Sequence, residues 1–171
     1  MTRKQEKLIE QYELGEISLE LLLGKFGVDL EEDSEYVLSQ ITKTINKQDP
    51  EKLDFAIQLI WISGNYKRYL NILNQLMIIP HHWRHQEITK TIQDIGDPSS
   101  VPYIRKALES NFDFLEYTAS ESSAIAKWFS WALYKIGTKE AIELIREYTQ
   151  SADLGIRKEM IYRLKKYNNN E

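Results

Sequence analysis

Three histidines, His81, His82 and His85, fall within the stretch PHHWRH, and the chain has no others. His81 and His85 stand four residues apart, the spacing with which one helical face presents two imidazoles to a zinc ion. A catalytic zinc also needs a third ligand and a base. The nearest carboxylate is Glu87, not the residue after the first histidine, and Pro80 interrupts any helix that would carry the pair. No metal site is expected, and the imidazoles are assigned with Trp83 to a surface turn. The serines of TASESS offer a nucleophile only if a base is held against them, and no motif brings a histidine there. Their expected role is to N-cap a long helix starting near Ala119. The sequence shows no Gly-rich phosphate cradle, nucleophile elbow or paired-carboxylate motif. With no Cys, thiolate chemistry and disulfides are also excluded. No catalytic residue and no cofactor is assigned, and a non-enzymatic role is expected.

The residues better suited to binding are aromatic and acidic. The segment Asn111 to Tyr117, NFDFLEY, carries Phe112, Phe114, Leu115 and Tyr117 among Asp113 and Glu116. Rigid rings supply contact area at low entropic cost, and carboxylates match a cationic partner. Packing of the rings beneath the neighbouring hairpin is the competing role. Trp128, Phe129 and Trp131 are too closely spaced to share one side of a helix, so at least one ring is left for the outside or for the next unit; Trp61, Tyr66 and Tyr69 pose the same question. The candidate partner-binding set is Phe112, Asp113, Phe114, Glu116, Tyr117, Trp128 and Trp131.

These residues need a scaffold, and the composition supplies one. A chain of 171 residues with 42% apolar content has the size of one ordinary domain with a continuous core. No apolar run is long enough for a membrane span, and the charged start MTRKQEKLIEQYE lacks the apolar segment of a secretory signal, so a cytoplasmic location is expected. The net charge of −4 is unevenly spread. Residues 1–49 hold six Lys/Arg against eleven Asp/Glu, whereas 139–171 hold seven against six. A basic partner would be steered toward the front, while such an acidic domain gives nucleic-acid binding little support. The basic run on the last helix, Arg157, Lys158, Arg163, Lys165 and Lys166, is the one stretch suited to phosphate.

Helical signals run throughout. One helix carries Leu8, Ile9 and Tyr12 and ends at Gly15; a short one from Ile17 to Phe26 stops at Gly27; a third, capped by Asp33 or Ser34, reaches about Lys47. The rhythm of the first two suggests a small helix-turn-helix reader, but the acids from Asp29 to Glu35 would repel phosphate, so this front is read as a packing cap. Beyond Asp49-Pro50, three hairpins align on Gly64, Gly96 and Gly137. Eight and four residues before these glycines stand Ala56, Ile88, Phe129 and Ile60, Ile92, Leu133. Five and eight after them stand Tyr69, Val101, Ile142 and Ile72, Ile104, Ile145. Ten of the twelve are Ile, Leu, Val or Phe and none is charged, which is the mark of stacked two-helix repeats.

The unit IGDPSSVPYIRKALES resembles a HEAT repeat, with a first helix closing in Ile-Gly, an Asp97-Pro98 turn, and a second helix carrying Val101, Ile104 and Leu108. The unit Ala124 to Thr149 is similar but lacks the proline, with Thr138 as its N-cap; Glu51 to Met77 keeps only the glycine and the apolar positions. The glycine spacings, 32 and 41 residues, are irregular, and related two-helix repeats remain open. The resemblance covers roughly residues 50–150, and a final amphipathic helix, Leu154 to Tyr167, opens a further unit or caps the stack. It implies an all-α, right-handed α-α superhelix with an N-terminal helical cap over 1–49 and repeats over 50–171, presenting a curved face made largely by second helices. Small acidic HEAT-like proteins resemble immunity proteins, and the function expected by that analogy is neutralisation of a toxin domain with a basic surface. The alternatives are a scaffold or regulatory subunit of a larger assembly and a nucleic-acid-binding HEAT-like protein. The oligomeric state is left open.

Overall fold

The computed structural model describes residues 1–110 and 112–169, and among them all regular structure is helical. Ten α-helices follow one another: α1 (Arg3–Glu13), α2 (Leu19–Phe26), α3 (Ser34–Lys47), α4 (Pro50–Ile62), α5 (Leu70–Leu76), α6 (His85–Ile95), α7 (Val101–Glu109), α8 (Ser122–Ile136), α9 (Lys139–Tyr148) and α10 (Leu154–Asn168). The chain is all-α, as its periodicity requires. Two compact units are present: Met1–Tyr69 with His81–Arg84, and Leu70–Pro80 with His85–Glu171.

In the first unit the caps are local and legible. Thr2 and Gln5 form a reciprocal capping box on α1, Ser18 accepts from the Leu21 amide to start α2, and Asp33 accepts from Tyr36 at 2.8 Å to start α3. Pro50 occupies the first turn of α4, where its missing N–H costs nothing, and Asp49 caps it. α1 packs on α2 and α4, and α3 lies along α4.

The second unit shows the repeat. α6 packs on α8 and α8 on α10, so successive first helices form one row; α7 and α9, which touch each other, form the second helices of the same layers. Eleven of the twelve register positions are buried, and only Ile72 is partly exposed. Burying side chains of this size contributes about 1.5–3 kcal/mol each. Gly96 and Gly137 close their first helices at φ +67° and +66°, in the left-handed region that a side chain disfavours. Gly64 adopts the same conformation at +71°. Its hairpin is divided, with α4 in the first unit and α5 in the second.

Two expectations about caps separate here. Thr138 does cap α9, accepting from the Ala141 amide. The TASESS serines do not cap α8, which begins at Ser122 after Glu121 with no side-chain cap. Ser122 instead donates to Asp153 at 2.9 Å, and Asp153 in turn accepts from the Ile156 amide at 2.8 Å to cap α10. The serine is used to join two helix starts rather than to cap its own.

Candidate protein-binding surface

The histidine cluster is a surface turn only in part: His81 and Trp83 are exposed ahead of α6. α6 starts at His85, and His81 precedes it in a left-handed turn at φ +73°, so the two imidazoles never share a helical face. His82 and His85 are buried, while Trp83 is half exposed. His85 sits with Nε2 2.9 Å from the Ile79 carbonyl and Nδ1 2.9 Å from the Tyr117 hydroxyl. A carbonyl only accepts, so Nε2 donates to Ile79, and in the neutral imidazole Nδ1 then accepts from the Tyr117 hydroxyl. Among the described residues no group of three His, Asp or Glu is placed to hold a metal ion.

His85 is the anchor of the aromatic-acidic segment, which no local signal announced. The stretch Asp113–Thr118 is a 3-10 helix, bracketed by left-handed Phe112 and Ala119; Asn111, the start of the expected insertion, lies outside the described residues. Phe112 is 4% exposed and stacks on Phe129 of α8 with ring centroids 5.5 Å apart. It belongs to the packing, and a partner cannot reach it in this conformation. Phe114 lies partly buried against the His85 ring at 5.2 Å, and Tyr117 keeps a ring 42% exposed while its hydroxyl is held by His85. Asp113 and Glu116 are exposed. The turn is thus nailed down by apolar groups and offers its acids outward.

Trp128 and Trp131 project from α8 into a cleft of about 680 Å³, whose other wall is Gln86, Glu87, Lys90 and Gln93 of α6. Spacings of four and three residues put the last group on one helical stripe. Gln86 follows His85 directly, so cleft and acidic turn are built on the same two helices. The cleft lies on first helices, whereas the sequence pointed to the second ones. The outward faces of α7 and α9 are occupied by charge, including a bidentate pair between Arg105 and Glu147 at 2.9 and 2.8 Å. That contact holds the Glu147 carboxyl below the ordinary range.

Trp131 is also supported from behind. The Arg163 guanidinium of α10 lies 3.9 Å from its ring centroid, donates to Glu159 at 2.7 Å, and is 1% exposed. The basic run on the last helix therefore loses its central member to the interior, where it fixes a tryptophan in place of meeting phosphate.

The first unit holds a smaller acidic depression, about 320 Å³, lined by Glu10, Glu13, Glu51, Asp54, Phe55 and Trp83. Arg84 pairs with both Glu13 and Asp54. Burial alone would depress the guanidinium, but these two carboxylates outweigh it and raise its pKa. Two of the four acids thus already share one cation.

No helix among the described residues is long and apolar enough to cross a membrane. No curated protein and no solved structure matches the chain. Residues 125–151, which span α8 from its first buried turn through α9 to the following loop, match the family model described as PBS lyase HEAT-like repeat. With the all-α layers around it, the segment is similar to a HEAT-like repeat, the kind of unit common in protein-interaction and scaffold modules.

Proposed function

We propose that the chain is a non-enzymatic protein-binding module whose contact surface joins the Trp128–Trp131 cleft to the acidic turn bearing Asp113, Glu116 and Tyr117. The observation that carries this is the pair of tryptophans lining a 680 Å³ cleft, with Trp131 immobilised by Arg163. Large rings held rigid before binding lose little entropy on contact and are the usual hot spots of interfaces. The exposed carboxylates beside them favour a partner with a basic surface. The front depression is the weaker candidate because Arg84 already engages two of its four acids.

The partner we infer is a small toxin domain, which makes the chain an immunity protein that covers the toxin's active surface by rigid complementarity. Support comes from the acidic net charge, the size, and the analogy with small HEAT-like immunity proteins. The scaffold alternative shares the surface but not the partner. Tagged protein recovered from its native cells is expected to bring down one small basic domain. Trp128→Ala is expected to weaken that complex about 30-fold or more, the lower bound for a hot spot. Asp113→Lys with Glu116→Lys is expected to slow association in a salt-dependent manner. Several unrelated proteins recovered together would favour a scaffold, and a complex indifferent to all three changes would refute the surface.

A further inference from the structure

In the second unit α10 is the last described helix of the row of first helices. α8 covers α6 and α10 covers α8, and among the described residues nothing covers the far side of α10. That side is not uniformly polar. Leu154 is 58% exposed, Tyr162 51% and Ile161 38%, and Lys158 and Lys165 are exposed between them. At 100° per residue these five fall on a single stripe, opposite Ile156, Met160 and Arg163, which point inward. Glu159, the one acid of the helix, is engaged by Arg163 and Ser130. The free stripe is therefore apolar and purely cationic.

The chain carries its complement. Between α1 and α2, Leu14 is 68% exposed, Leu19 and Leu21 are 39% and 41% exposed, and the interleaved charges are the exposed acids Glu16 and Glu20. We propose that the α10 stripe receives the α1–α2 tip of a second copy. The contact is heterologous, with different surfaces on the two partners, so it closes into a ring or runs on as an open chain according to the rotation between copies. A second copy is favoured over an anionic lipid surface because the net charge of −4 opposes approach of the whole molecule to such a surface, whereas the acidic tip matches the stripe directly.

Sedimentation equilibrium of the full chain at low ionic strength tests this. The weight-average mass is expected to rise above the 20.2 kDa of one chain with increasing concentration, and to fall back at moderate salt. Lys158→Glu with Lys165→Glu, and separately Glu16→Lys with Glu20→Lys, should each sediment as monomer. Mixing the two variants restores complementary faces and should restore association. Trp128→Ala should self-associate like the parent, which separates this contact from the partner surface proposed above. A monomer at every concentration, association unaffected by the reversals, or a mixture that stays monomeric would overturn the proposal. So would a monomer that binds anionic vesicles through the same lysines.

Discussion

Gly155 allows a sharp test of how α8 and α10 meet. It is the second residue of α10, its φ is unexceptional, and an alanine there should on propensity alone stabilise the helix by about 0.5–1 kcal/mol. The structure reverses the sign. A Cβ built on Gly155 would lie 2.6 Å from the Ser123 backbone nitrogen and 3.1 Å from its Cα, and would collide with Ser122 Oγ. The hydroxyl can rotate, but the backbone nitrogen cannot give without displacing the α8 start. Overpacking of this kind costs about 1–3 kcal/mol, and the displacement would also strain the Ser122–Asp153 and Asp153–Ile156 contacts. Gly155→Ala is therefore expected to lose about 1–2 kcal/mol net and lower Tm by about 2–8 °C for a chain of this length. Gly24 is the matched control, lying within α2 with nothing inside 4 Å of its added Cβ. Gly24→Ala should gain about 0.5–1 kcal/mol. Adding Ser122→Ala to Gly155→Ala should rescue only part of the loss, since Ser123 remains. A thermal melt followed by circular dichroism reads all of these. If Gly155→Ala melts at or above the parent while Gly24→Ala rises as expected, the close approach does not exist and the reasoning fails.

Other substitutions test the remaining contacts. Phe112→Ala should cost about 3–5 kcal/mol in urea unfolding through loss of the stack on Phe129, whereas Asp113→Lys should leave the urea midpoint nearly unchanged. Arg163→Ala should cost about 3–5 kcal/mol because it strands Glu159 without its cation, and Arg163→Met with Glu159→Leu should recover most of that. The Glu147 carboxyl has a folded pKa below its unfolded one, so the Arg105 pair contributes its stability above the ordinary carboxylate value of about 4.3 and loses it as pH falls through the depressed value. The pair is largely exposed, so Glu147→Gln should flatten the acid limb of a stability-versus-pH curve by no more than about 1 kcal/mol.

The elements themselves were legible because their signals are local. The apolar register on Gly64, Gly96 and Gly137 names the buried faces correctly at every position but Ile72, and Asp33 and Thr138 cap the helices that follow them. What escaped depends on residues brought together from far apart. Ser122 is taken by Asp153, His85 reaches Tyr117, and Arg163 reaches Ser130, each about thirty residues away in sequence. Periodicity cannot tell a cation on a polar stripe from one folded inward onto a ring, so Arg163 reads as solvent-facing until α8 is placed beside α10. The same holds for Trp128, Phe129 and Trp131, whose spacing shows that they cannot all share one side of a helix but not that α6 supplies the opposite wall of a cleft.

The chain enters the second unit at Leu70, returns to the first for His81–Arg84, and leaves again at His85. No single scission can therefore release either unit whole. A fragment ending at Tyr69 would retain Glu13 and Asp54 without the arginine that both of them hold, and a fragment starting at Leu70 would carry that arginine as an orphan. Limited proteolysis within residues 70–80 should accordingly yield two pieces that stay together in native buffer through Arg84 and part only in denaturant.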